Sequence, residues 1–175
     1  MGTSEWIALG ALGVALFSAV VSVFSYCVSQ SAFKISKQQH KERYKGITPY
    51  YIDALKWKSQ GEIYVSFALR FTNEATISNS IQSIELHLEY FDRQRKYGKA
   101  KISPNLEIKP VNLASASEVL AVPLELNAKS AKSGWISFKL PSLFSKELDI
   151  DLYKIVASTT DGRIVSIDTH IIKAV

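Results

Sequence analysis

The chain has 175 residues, with 21 Lys and Arg against 16 Asp and Glu, a formal net charge of +5, and a single cysteine. That length leaves room for one compact domain of about 130 residues beside an anchor, and one cysteine excludes an internal disulfide, in keeping with a reducing compartment. The charge is confined to two clusters, 34–45 and 93–101, over an otherwise acidic body, a distribution that argues against duplex DNA as a partner.

From Trp6 to Val28 the sequence carries no charged residue. A helix of that length spans about 34 Å, enough for a hydrocarbon core of about 30 Å, so the run predicts one transmembrane helix over 6–28 behind a short tail at 1–5. The tail has no Lys or Arg and no small-x-small site follows, so the run reads as an uncleaved anchor. Lys34, Lys37, Lys41, Arg43 and Lys45 follow it. By the positive-inside rule this basic flank, a membrane-surface element, puts the N-terminus outside and the rest in the cytoplasm, at the plasma (inner) membrane. Residues 29–46 predict a basic helical stalk ended by Gly46 and Pro49.

The anchor has internal order. Ala8, Ala11, Ala15, Ser18, Ser22, Ser25 and Ser29 recur at alternating spacings of three and four, and Ala32 and Ser36 continue the series. Lipid supplies no hydrophobic drive for helix association, so close approach through small side chains and hydroxyls takes its place. The seam predicts a homo-oligomer with left-handed packing. Its inward face is either a closed, dry bundle or, with enough copies, a narrow pore polar at its serine half.

Beyond residue 47 the period becomes two. In 62–72, Ile63, Val65, Phe67, Leu69 and Phe71 share a face; in 82–90, Gln82, Ile84, Leu86, Leu88 and Tyr90 do. Segments 118–126 (Leu120, Val122, Leu124, Leu126) and 135–140 (Ile136, Phe138, Leu140) alternate likewise, and weaker strands are expected near 47–57 and 97–112. Residues 142–148 suggest a helical turn, and 149–158 with 163–172 predict a hairpin around Thr159-Thr160-Asp161-Gly162. About seven to nine short strands over 47–175 predict a mainly β domain, a β-sandwich of Ig-like architecture.

Catalytic signals are poor, and an enzyme is not expected. Glu85, His87 and Glu89 sit on one strand face about 7 Å apart, too far to close round one ion without a second strand, so no metal or other cofactor is expected. Asp168-x-His170 reads the same way, and Cys27 falls in the bilayer. The ligand candidate is the stretch 93–101, read as a loop in which Gly98 allows a turn. Arg93, Arg95, Lys96, Lys99 and Lys101 supply charge, and Tyr97 a ring for stacking. Its alternatives are a solvated hairpin tip, contact with anionic headgroups together with the 34–45 flank, or a nucleotide, nucleic acid or acidic protein partner.

This arrangement of anchor 6–28, basic stalk 34–45 and β domain 47–175 resembles that of small bacterial membrane-anchored effectors of antiviral immunity. The resemblance is one of organisation. It implies a membrane bundle coupled to a cytoplasmic domain that senses a nucleotide second messenger. The other reading is a non-catalytic tethered adaptor or assembly factor whose sandwich meets a protein partner.

Overall fold

A computed structural model describes residues 2–110, 118–146, 148–170 and 172–174. The chain divides into two compact units, Met1–Arg43 and Tyr44–Val175.

The first unit is a single helix, α1 (Thr3–Arg43), with no break between the apolar run and the basic stretch after it. Straight-chain and small residues favour the helix. His40, Lys41 and Arg43 lie in its last turn, where cations complement the helix dipole. Large apolar side chains point outward along it, including Trp6, Phe17, Phe24 and Val28 at 66, 72, 68 and 68 % exposure. So large an uncovered apolar surface is unfavourable in water. The helix is long and apolar enough to cross a membrane.

The second unit is a β-sandwich. Its strands are β1 (Ile47–Ser59), β2 (Glu62–Asn73), β3 (Asn79–Phe91), β4 (Tyr97–Ile102), β5 (Leu124–Leu126), β6 (Ala131–Leu140), β7 (Asp149–Thr159), β8 (Ile164–Thr169) and β9 (Lys173–Ala174), with a short helix α2 (Leu143–Lys146) before β7. One sheet runs β6-β2-β1-β9. The other runs β4-β3-β7-β8, with β5 on the same side of β3 as β4. Among the described residues, all pairings between strands are antiparallel except that of β1 with β9. The two inner faces meet in one core built on Val65, Phe67, Leu69 and Phe71 of β2, Ile84, Leu86 and Leu88 of β3, Ile136, Phe138 and Leu140 of β6, and Tyr153, Ile155 and Ala157 of β7. The large apolar residues alternate along β2, β6 and β3 beyond Gln82, and the other face of β2 is itself buried at Ser66 and Ala68.

Four sequence expectations need correction. Gln82 does not share the face of Ile84 and Leu86. The register slips between Ile81 and Ser83, and Gln82, the extra residue of the resulting bulge, is exposed while Ile81 is buried. The run 118–126 is not one strand. Val119 makes an isolated parallel bridge to Trp135, Pro123 has no N–H to give a ladder, and only Leu124–Leu126 is strand. The stretch 97–112 contributes β4 only as far as Ile102, and residues 111–112 lie outside the described ones. Finally, 93–101 is not a loop: Tyr97, Gly98, Lys99, Ala100 and Lys101 belong to β4.

The hairpin near the chain end forms as expected, with Gly162 at φ 77° and Thr159 N–H donating to the Arg163 carbonyl at 2.9 Å. The segment that leads into β1 is held at both sheets. The Arg163 guanidinium donates to the Tyr44 carbonyl at 2.8 Å, and Lys45 pairs with Glu74 at 3.2 Å.

Candidate functional site

The structure splits the basic stretch in two. Arg93, Arg95 and Lys96 form the β3–β4 turn, ordered by Asp92, whose carboxylate accepts from Gln94 N–H and Lys96 N–H at 2.8 Å each. The left-handed residue of this turn is Arg95 (φ 60°), not Gly98. The turn sits at the end of the sandwich opposite Tyr44 and Ile47, since β3 runs its length from Asn79, beside Thr159, to Phe91. At about 3.3 Å per residue that separation is roughly 40 Å. The sequence stretch therefore does not form one patch with Lys45 inside the β unit.

Tyr97, Lys99 and Lys101 alternate with Gly98, Ala100 and Ile102 on β4, so the first three face outward and Ala100 and Ile102 pack on the core. Tyr97 lies against Phe91 with ring centroids 5.8 Å apart, and the Lys99 ammonium stands 5.5 Å from the Tyr97 ring centre. Lys99 is committed to Glu89 at 2.9 Å. Hydrogen bonds from Lys99 and then Tyr97 hold the Glu89 carboxyl below the usual range, and hydrogen bonds to Glu89 and then Tyr97 raise the Lys99 ammonium. One of the five bases read from the sequence, Lys99, is thus matched within the sheet.

The row containing Lys101 is different. On the outer face of this sheet Lys101 and Lys154 both register with His87, one from each side, and Asp168 registers with Lys154. His87 and Glu85 hydrogen-bond at 2.9 Å. Among the described residues neither Lys101 nor Lys154 belongs to an ion pair. A depression of about 320 Å³ lies here, lined by His87, Lys101, Lys154, Val156, Ile164 and Ser166, with the Glu89–Lys99 pair at its edge. The sequence places His87 on one strand face with Glu85 and Glu89 and offers nothing to single out Lys154. The only signal available was outward parity on each strand, which says nothing about register. Among the described residues, no three His, Cys, Asp or Glu side chains are grouped to hold a metal ion.

On α1, the positions Ala8, Ala11, Ala15, Ser18, Ser22, Ser25 and Ser29 lie in one uninterrupted helix, together with Lys34, Lys37, Lys41 and Arg43, whereas Lys45 belongs to the β unit. A repeat of 3.5 on a straight helix drifts by about 20° per heptad, so the seam stays on one face only if the helix supercoils to the left. The Ser22 hydroxyl donates to the Ser18 carbonyl at 2.8 Å, and Ser31 to that of Cys27 at 3.0 Å.

Fold and site together define a class: a helix long and apolar enough to span a membrane, joined to a β-sandwich with a lysine-flanked depression on one outer face. No protein-family model matches the chain, and no curated protein matches it. Among solved structures, the Northeast Structural Genomics Consortium target SoR45 aligns over 70% of this chain and 77% of its own, at 9% identity and a TM-score of 0.29. A Bordetella pertussis protein described as ApaA aligns over 70% and 84%, at 12% identity and a TM-score of 0.27. Likenesses at that level carry no functional assignment.

Proposed function

We propose that the chain is a single-pass membrane protein that self-associates through the Ala8–Ser29 seam and uses its β-sandwich, in the cytoplasm, to sense a ligand or partner. In this reading it is a non-catalytic effector that perturbs the bilayer, in the manner of antiviral defence proteins of the same organisation. The observation that carries it is the seam itself. It runs unbroken through a helix that continues beyond the apolar span, so Ala32 and Ser36 extend the same face out of the bilayer. The basic residues after the span support the cytoplasmic placement.

Two exchanges test this. Replacing residues 6–28 by poly-Leu keeps the tether and removes the seam, and abolishes activity if assembly matters. Ser22→Leu with Ser25→Leu removes membrane depolarisation on expression if the assembly conducts, and unchanged depolarisation would sink the pore version. For topology, Thr160→Cys in a Cys27→Ser background stays unlabelled by an impermeant thiol reagent in intact cells.

A second reading, a tethered adaptor with an interchangeable anchor, is favoured by the Ser22 bond to the Ser18 carbonyl, which satisfies that hydroxyl without a neighbouring helix. It predicts full activity with the poly-Leu anchor.

A further inference from the structure

The outer face of the β4-β3-β7-β8 sheet carries three rows of charge. In one, Lys99 stands beside Glu89 and is paired with it. In another, Glu85 registers with Val156, which registers with Ser166. Between them lies the row Lys101, His87, Lys154, Asp168. Neighbouring strands are about 4.8 Å apart, so the two lysines leave the sheet roughly 10 Å apart with the imidazole between them.

The acids of this face are distributed unevenly. Glu85 is taken by His87 and Glu89 by Lys99, each at 2.9 Å. Asp168 stands beyond Lys154 and does not line the depression. Lys154 acts on Glu89 only through space. Glu89 lines the depression too, but its carboxylate is engaged by Lys99, so the ammonium groups of Lys101 and Lys154 flank the depression without an ion pair of their own. Its wall is apolar at Val156 and Ile164, the latter 73 % exposed, and Ser166 adds a hydroxyl. Like charges brought onto one face repel, and an oxyanion seated over His87 turns that repulsion into two charge-assisted hydrogen bonds.

We propose that this depression binds a small oxyanion, phosphate or a phosphomonoester. Lys101 and Lys154 bind the oxygens, Ser166 donates a further hydrogen bond, and Val156 with Ile164 seat an apolar substituent. The site does not depend on how α1 assembles. The same chemistry is offered by free phosphate and by a phosphomonoester headgroup, and the test separates them.

The full chain is placed in phosphatidylcholine nanodiscs, inorganic phosphate is titrated at constant ionic strength, and the His87 ring signals are followed by NMR. The expected result is a saturable shift that weakens by about tenfold or more when either Lys101 or Lys154 is changed to Gln. The Arg95→Gln/Lys96→Gln variant, at the distal turn, binds like the wild type. Both sets of changes are at the surface, and an unchanged thermal transition confirms that each variant is folded. Discs containing phosphatidic acid, without phosphate, give the same shift if the source is a headgroup, which upholds the site with a lipid ligand. No saturable shift under either condition, or a shift that survives Lys101→Gln and Lys154→Gln, overturns the proposal.

Discussion

The Tyr90 ring occupies the space that a side chain on Gly98 would need: a Cβ built on Gly98 comes within 2.5 Å of Tyr90 Cζ and 2.7 Å of its Oη. The two residues register across the β3–β4 pair, and the ring is held from the other side by Phe144, edge-on at 5.1 Å. Gly98→Ala therefore pushes a packed aromatic, and a loss of about 1–3 kcal/mol is expected in urea unfolding. In the Tyr90→Ala background the same change costs far less, so the double-mutant cycle is strongly non-additive. Additive losses would mean that the ring moves aside freely.

Asn73 is fully buried and ties three segments together. Its amide donates to the carbonyls of Ile77 (2.8 Å), Leu126 (3.2 Å) and Asn127 (3.0 Å), and its side-chain oxygen accepts from Ala75 N–H at 3.0 Å. Asn73→Asp keeps the size but sets a carboxylate against three carbonyls. We expect it to cost about 3 kcal/mol or more, and more than Asn73→Ala. Equal urea midpoints for the two variants would contradict this account.

Glu89 provides a pH test. Its carboxyl is held below the ordinary 4.5 by hydrogen bonds from Lys99 and Tyr97. A depressed folded pKa gives a stabilisation that is present at neutral pH and disappears as the pH falls through that lowered value. Lys99→Gln should return the Glu89 titration, followed by carboxyl NMR, toward 4.5 and flatten the acid limb of the stability curve by lowering stability at neutral pH. A Glu89 titration unmoved by Lys99→Gln would refute the pairing.

Tyr153 acts at the other end of the scale. Burial, and then the charge of Asp149, push its phenol from the ordinary 10 to about 12. The unfolded chain ionises first, so the stabilisation is complete below about pH 10 and is lost as the pH rises toward 12. Tyr153→Phe should flatten the alkaline limb of urea midpoints relative to wild type. An alkaline limb identical in the two proteins would contradict the shift.

The strands were legible where one rule was enough. Ile63, Val65, Phe67, Leu69 and Phe71 alternate strictly and fill the core, and Thr159-Thr160-Asp161-Gly162 turns where it should. The sequence misleads where a local irregularity resets parity. Gln82 looks inward until the bulge moves it out, and Pro123 interrupts a run of well-spaced leucines and valine. Gly98 suggested a turn, but its actual requirement is a ring from the partner strand. The Lys101–His87–Lys154 row draws on β4, β3 and β7, far apart in sequence, and no motif spacing encodes that register. Asn73 was invisible for the same reason, since its partners lie 53 and 54 residues away.

Helix association in the bilayer is the central claim, and cysteine cross-linking tests it most directly. The native Cys27 lies off the seam, so it is replaced by Ser, and single cysteines are introduced at Ser25, on the seam, and at Val20, off it. In oxidised native membranes the account predicts a cross-linked dimer from Ser25→Cys, none from Val20→Cys, and loss of the dimer when Ser22→Leu is added. Equal cross-linking at positions 20 and 25, or none at either, would contradict assembly through the Ala/Ser face.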